Sequence, residues 1–200
     1  LNTGLFLSHF RPVLEQGQDL VYVAMASGIS GTYQAALLAK QELEEEFPDR
    51  CVYIIDSKGC GFGSGMLVLR AAELNRQGLS AREAGQILDG EVPHICQYFT
   101  VDDLNFLKRS GRVSGAAAAI GTVLNIKPIL YGSADGHIVA CGKVRGRKKA
   151  IDTLVETYAK KQVDAANHLV AISHGDCLAD AQLLAEKVRA VAAPKDILIV

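Results

Sequence analysis

The sequence lacks several features that would place it in a functional class at once. Its net charge is only −1, so it shows no excess of basic residues of the kind that carries nucleic-acid binding. No apolar run reaches the roughly 20 residues that a membrane-spanning helix needs, and no signal peptide is visible. Its five cysteines are odd in number and show no C-x-x-C spacing, which argues against a disulfide framework and a zinc site. We therefore expect a protein of the reducing cytoplasm.

Both ends of the sequence look cut. It begins at Leu1 without a methionine and stops inside an apolar run at residues 197–200. We expect segments to be missing at each end. The 200 residues, 49% of them hydrophobic and 22% charged, suffice for one large or two small domains, and no repeat or long linker interrupts them.

The first half of the sequence alternates between apolar strands and helices. Strands are predicted at residues 20–25 and 51–55, and each leads through a glycine-rich loop into a helix, at 31–46 and 66–76. Two successive units of this kind predict a parallel, doubly wound sheet with its ligand site outside the carboxyl ends of the strands. A further helix is expected to begin after Ser80, with Glu83 completing a capping box.

The second half changes character after Pro93. An Asp135-Gly136 pair between two apolar runs predicts a hairpin, which makes this half α+β. We therefore expect an α/β fold with a parallel-sheet first half, residues 1–92, and an α+β second half, residues 93–200. The other predicted elements of this half are a strand at 95–101, an alanine-rich helix at 116–123, a helix at 148–161, a strand at 168–173 and a helix at 178–193.

The loop after the first predicted strand carries the strongest functional signal. Residues 26–32 read Ala-Ser-Gly-Ile-Ser-Gly-Thr and open a helix. Small hydroxyl residues, glycines and a helix N-terminus together offer N–H and O–H donors to an anion. The alternative is that Ser30 or Thr32 merely caps the helix, as serine and threonine commonly do.

The sequence from residue 27 to 36, Ser-Gly-Ile-Ser-Gly-Thr-Tyr-Gln-Ala-Ala, resembles the signature of the DegV family of bacterial fatty-acid-binding proteins. The resemblance implies two α/β domains with a long-chain fatty acid buried between them, no catalysis or cofactor of its own, and a separate fatty acid kinase that phosphorylates the presented carboxylate. Similar blocks follow in the same order at 55–57, 103–104 with 107–108, 111–113, 124–130 and 143–146.

The resemblance assigns roles to particular residues. Ser30 matches the hydroxyl that holds the carboxylate, while Ser27, Gly28 and Thr32 are expected to supply further donors or to let the backbone approach. Phe62 is expected to form part of the wall of an apolar tunnel, in which each buried CH₂ contributes about 0.8 kcal/mol.

The sequence also departs from the family pattern at its ends. A threonine that shares the carboxylate in the family falls before Leu1, and Thr3 is not its replacement. A histidine-bearing segment near the family's C-terminus is not visible either, and we interpret His174 as a residue at the end of a strand.

The basic run at residues 143–149 contains Arg145, which matches an arginine that the resemblance places on the surface facing the kinase. A basic patch suits docking to an acidic partner. The alternative is a helix start with solvated charges.

A small-molecule hydrolase or phosphoryl-transfer enzyme is the alternative function. Such an enzyme would use the same serine- and glycine-rich loop, or would hold a phosphate at residues 56–65. However, G-x-S-x-G and G-x-G-x-x-G spacings are both absent, and the histidines and acids show no metal-ligand spacing.

Overall fold

The computed structural model describes residues 1–113 and 125–200, and the predicted helix at 116–123 lies outside them. The chain divides by its contacts into two units. The first comprises Leu1–Cys96 together with Ser133–His137, and the second comprises Gln97–Gly132 together with Ile138–Val200. The division of the sequence into two domains, at residues 1–92 and 93–200, remains a prediction.

The first unit is built around two parallel strands, β1 (Leu20–Ala24) and β2 (Val52–Asp56), paired in register from Leu20↔Val52 to Ala24↔Asp56. Its helices are α1 (Thr3–Glu15), α2 (Thr32–Glu46), α3 (Phe62–Arg76) and α4 (Ala81–Glu91). A short 3-10 helix, Val92–His94, follows α4.

Alternating residues of β2 face opposite sides of this sheet. Val52 and Ile54 lie in a core cluster with residues of α1 and α2, whereas Ile55 lies in a second cluster with residues of α3 and α4. Because strand side chains alternate between faces, this pattern puts helices on both sides of the strands. The predicted parallel sheet with helices on both faces is confirmed.

The second unit combines antiparallel and parallel pairing, as expected for an α+β region. Strands β3 (Tyr98–Phe99), β4 (Ile126–Gly132) and β5 (Ile138–Arg145) form an antiparallel sheet in the order β3-β4-β5. Strands β6 (Leu169–Ile172) and β7 (Asp196–Ile199) pair in parallel. The helices are α5 (Asn105–Ser110), α6 (Arg147–Lys161) and α7 (Leu178–Val191), with a 3-10 turn at Ala165–Asn167.

The core of the β6–β7 region is small and aliphatic. Val155 of α6, Ile172 of β6 and Ile197 of β7 pack with the alanine-rich face of α7, which contributes Ala181, Ala185 and Val188. The terminal apolar run of the sequence is thus used as a strand.

Two predicted elements were wrong in extent. Helix α3 begins at Phe62, so the last part of the predicted glycine-rich loop is helical. The strand predicted at 95–101 is only Tyr98–Phe99, because only these two residues pair with β4. Among the described residues, no helix is both long enough and apolar enough to cross a membrane.

Candidate functional site

The loop between β1 and α2, residues 26–32, is named here the anion loop. It leaves β1 after Ala24 and ends where α2 begins at Thr32. The N-cap residue of α2 is Gly31, which has no side chain that could cap the helix. Neither Ser30 nor Thr32 is itself the N-cap residue, but Ser30 Oγ accepts a hydrogen bond from the Thr32 amide at the start of the helix, which is a capping interaction.

Ser30 and Thr32 lie side by side at the start of the helix. Their hydroxyl oxygens are 3.0 Å apart, and the Thr32 amide donates to Ser30 Oγ at 3.3 Å. Both residues are half-buried. A pair of hydroxyls beside the positive end of a helix can turn O–H donors toward a carboxylate.

Ser27 and Gly28 form the middle of the anion loop, next to the end of β2. The Ser27 amide donates to Asp56 Oδ1 at 3.1 Å. Lys58 Nζ donates to Asp56 Oδ2 at 2.7 Å and to Ser27 Oγ at 3.3 Å. Because Ser27 Oγ accepts from Lys58, its own hydrogen remains available to donate to another group.

Lys58 and Asp56 are the residues of this region whose roles the sequence did not indicate. Burial raises the pKa of the Asp56 carboxyl, but hydrogen bonds from Lys58 and Ser27 outweigh it and hold that pKa below the ordinary value of an aspartate. Lys58 also has a positive φ of 50°. The sequence indicated these two residues only through their position at the end of a predicted strand, since residues at the carboxyl ends of adjacent parallel strands meet at one edge of the sheet.

The second glycine-rich loop is closed by its own side chains. Ser57 is buried, and its Oγ lies 2.9 Å from Ser64 Oγ. The same Oγ donates to the Gly59 carbonyl and accepts from the Gly59 amide, both at 3.2 Å. The hydroxyl and amide that a phosphate would need here are therefore already engaged, so no observation favours the phosphate-binding alternative.

Phe62 is the first residue of α3 and is half-buried. Its ring lies over Gly65, where an added Cβ would be 3.2 Å from Phe62 Cδ2. Its role as a tunnel wall remains a prediction.

The basic run divides into paired and unpaired cations. Arg147 Nε donates to Asp180 Oδ2 at 2.7 Å, and Lys149 Nζ lies 3.1 Å from Glu156 Oε1. Arg145, at the exposed end of β5, has no ion pair within residues 1–113 and 125–200.

The histidines of the described part do not form a nucleophile–base pair with Ser30. His137 pairs with Asp135 at 3.1 Å, and His174 Nδ1 accepts from the Cys177 amide at 3.2 Å. In the same part of the chain, no cluster of three or more histidine, cysteine or acidic residues is arranged to hold a metal ion.

The geometry defines an α/β protein of the parallel-sheet type with a donor-rich loop at the carboxyl end of β1. The sequence model of the DegV family, described as an uncharacterised protein family, matches residues 1–200. The chain belongs to the DegV family.

Relatives agree with this assignment. A DegV domain-containing protein of Clostridium perfringens is 39% identical over 199 residues, which are 100% of this chain and 68% of the relative. A solved structure described as fatty acid binding of a DegV family protein, from Thermus thermophilus, is 32% identical with a TM-score of 0.84 and covers 99% of this chain and 69% of that one.

A fatty acid binding DegV family protein from Streptococcus agalactiae is 28% identical, with a TM-score of 0.86 over 100% of this chain and 69% of that chain. The α/β fold class and the family resemblance are thus confirmed.

Proposed function

We propose that the protein binds a long-chain fatty acid without catalysing a reaction on it. The observation that carries the proposal is the pair of hydroxyls of Ser30 and Thr32, which lie 3.0 Å apart beside the N-terminus of α2. The relatives from Thermus thermophilus and Streptococcus agalactiae, which are described as fatty-acid-binding, support this class of ligand.

Ser30 is the proposed principal donor to the carboxylate. Ser27, Gly28 and Thr32 add O–H donors and a backbone approach, and Phe62 forms part of an apolar wall along the acyl chain. A carboxylate accepts several hydrogen bonds at once, and charge-assisted bonds are about twice as strong as neutral ones. The head group supplies orientation, whereas the tail supplies most of the free energy, at about 0.8 kcal/mol per buried CH₂.

The protein is proposed to present the bound acid to a separate fatty acid kinase through a surface that includes Arg145. The exposed position of this arginine without an ion pair among the described residues supports an intermolecular role over a structural one. None of the five cysteines, all of which lie within the described residues, forms a disulfide, which suits the reducing cytoplasm where such a kinase would have ATP.

The test begins with mass spectrometry of an organic extract of the purified protein, which is expected to contain a long-chain fatty acid. After removal of the lipid, Ser30→Ala is expected to weaken fatty-acid binding by about 1.5–3 kcal/mol, the value of a hydrogen bond to a charged group. Titration calorimetry with a single saturated acid measures the change.

Ser8→Ala serves as the control, because Ser8 is an exposed residue of α1 whose hydroxyl bonds the Leu5 carbonyl and His9 of the same helix. It is expected to bind the acid as the unaltered protein does. Equal affinities for Ser30→Ala and the unaltered protein would contradict the assignment of Ser30.

A further inference from the structure

The tip of the β4–β5 hairpin, Ser133–His137, packs with the first unit although β4 and β5 belong to the second. The tip is a tight turn in which the Gly136 amide donates to the Ser133 carbonyl and the Ser133 amide donates to the His137 carbonyl, both at 2.9 Å. Gly136 is buried and has a φ of +82°, a conformation that favours glycine.

The hairpin tip meets the anion loop backbone to backbone. A Cβ added to Gly28 would lie 2.7 Å from the Gly136 carbonyl oxygen and 3.0 Å from that of Asp135. A Cβ added to Gly136 would lie 3.0 Å from Cβ of Ala26 and 3.4 Å from Cδ of Lys58. Because the atoms facing Gly28 are main-chain atoms, no side-chain rotation can relieve a clash there.

The opposite side of the anion loop is fixed by the segment after β2. The Ala26 amide donates to the Gly59 carbonyl at 2.8 Å, and the Ser27 amide donates to Asp56 at 3.1 Å. The loop is thus held between the end of β2 and the hairpin tip. Either side alone would leave it free to move away from the other.

We infer that the hairpin tip is a positioning element for the anion loop and that the contact of Gly28 with Gly136 sets the preference for a carboxylate over a neutral head group. The inference rests on the proposed function. Hydrogen bonds to an anion depend on the direction of several donors at once, so a displaced loop loses affinity for an acid. An alcohol of the same length gains most of its affinity from the tail and loses little.

The experiment compares the binding of palmitic acid and hexadecan-1-ol to the lipid-free full chain and its variants. Gly28→Ala is expected to weaken binding of the acid on the order of 10- to 100-fold, equivalent to one charge-assisted hydrogen bond, and to leave binding of the alcohol within about threefold. Gly142→Ala is the control on the same hairpin, because its added Cβ would meet Ile129 only at 3.8 Å. It is expected to leave both affinities unchanged.

If Gly28→Ala does not fold, Gly136→Ala tests the same contact from the side of the hairpin tip. Its control is Gly78→Ala, which has a similar φ of +85° but open space around the added Cβ. Backbone strain then affects both variants, whereas only Gly136→Ala is expected to lower the ratio of acid to alcohol affinity.

Three outcomes overturn the inference. Unchanged acid binding by both loop-contact variants would remove the positioning role, and equal losses for acid and alcohol would indicate general damage to the protein. Failure of the unaltered protein to bind palmitic acid would overturn the proposed function itself, and that result appears in the wild-type measurement before any variant is compared.

Discussion

Two neighbouring residues at the end of β2 bond different partners and have different roles. Ser57 points inward, is buried and bonds Ser64, so it holds the loop before α3 together. Asp56 instead accepts hydrogen bonds from Ser27 and Lys58 and joins the ends of β1 and β2. One residue stabilises a turn, and the other connects two segments that are distant in the sequence.

The lowered pKa of Asp56 predicts a dependence of stability on acid pH. A carboxyl whose pKa is lower in the folded than in the unfolded state stabilises the protein above its unfolded-state pKa, and this contribution is lost as the pH falls through the folded-state pKa. Asp56→Asn is therefore expected to lower the free energy of unfolding by about 1–3 kcal/mol at pH 7, with the deficit shrinking below about pH 4.

Urea unfolding between pH 3 and pH 7 measures this effect, with Asp49→Asn, an exposed residue between α2 and β2, as the control. A deficit for Asp56→Asn that is the same at every pH would show that the carboxylate charge is not what stabilises this region.

The sequence indicated Ser27, Gly28, Ser30 and Thr32 as site candidates because they form one contiguous loop with a recognisable composition. Lys58 could not be found in the same way. Its contact with Ser27 exists only because β1 and β2 pair in parallel with Ala24 opposite Asp56, and such pairing is not encoded within either loop. Local motifs were thus predictable, whereas contacts between distant segments were not.

Helix α4 shows the same division between local and distant determinants. Its capping box was predicted from Ser80 and Glu83 and is present, with the Ser80 amide donating to Glu83 Oε2 at 2.9 Å. Its packing was not predicted. The Tyr53 ring of β2 lies directly on the Gly85 backbone, and the hydrogen bond that its hydroxyl donates to Asp89 at 2.6 Å raises the pKa of Tyr53 to about 12.

The same substitution, glycine to alanine, is expected to have opposite effects on stability at two positions of α4. A Cβ at Gly85 would overlap the Tyr53 ring, so Gly85→Ala is expected to destabilise the protein by ~1–3 kcal/mol. Gly90 has nothing within 4 Å of an added Cβ, so Gly90→Ala is expected to stabilise by ~0.5–1 kcal/mol through helix propensity. Equilibrium urea unfolding distinguishes them, and effects of the same sign would contradict the packing argument.

The start of α3 was misplaced for a physical reason. Gly63 and Gly65 are poor helix formers, which placed the predicted start at residue 66. The hydrogen bond between Ser57 and Ser64, together with the Gly65 amide donating to the Gly61 carbonyl at 3.2 Å, accompanies a first turn that begins earlier. Tertiary context therefore overrode propensity at this helix end.

At the scale of the whole molecule, the fold class followed from the order of elements. Buried apolar strands followed by glycine-rich loops and helices indicate parallel pairing, because such connections cross over the sheet. The ends of the short strand β3 could not be predicted in this way. Its length depends on which of its residues pair with β4, and the local sequence does not determine that pairing.

The proposed partner surface gives a prediction about the assembled system. Arg145→Ala is expected to leave fatty-acid binding intact and to lower phosphorylation of the bound acid by the fatty acid kinase about 30-fold, the value of an interface anchor worth about 2 kcal/mol. Acyl phosphate formation and acid binding are measured on the same preparation.

Lys149→Ala removes the same charge from the same basic run, but Lys149 already pairs with Glu156 within the chain. It is expected to reduce phosphorylation far less. Loss of acid binding by Arg145→Ala would make this arginine a ligand or structural residue, and equal activity of both variants would make the run an ordinary solvated surface.

The position of the hairpin tip also has a consequence for the order in which the protein is made. The first unit is complete only with Ser133–His137, roughly 40 residues after the end of its main segment at Cys96. At a synthesis rate of about 5–20 residues per second, several seconds pass before these residues exist. During that interval Gly136 has not yet been added to the chain. The nascent protein therefore contains the anion loop before the contact between Gly28 and Gly136 can form.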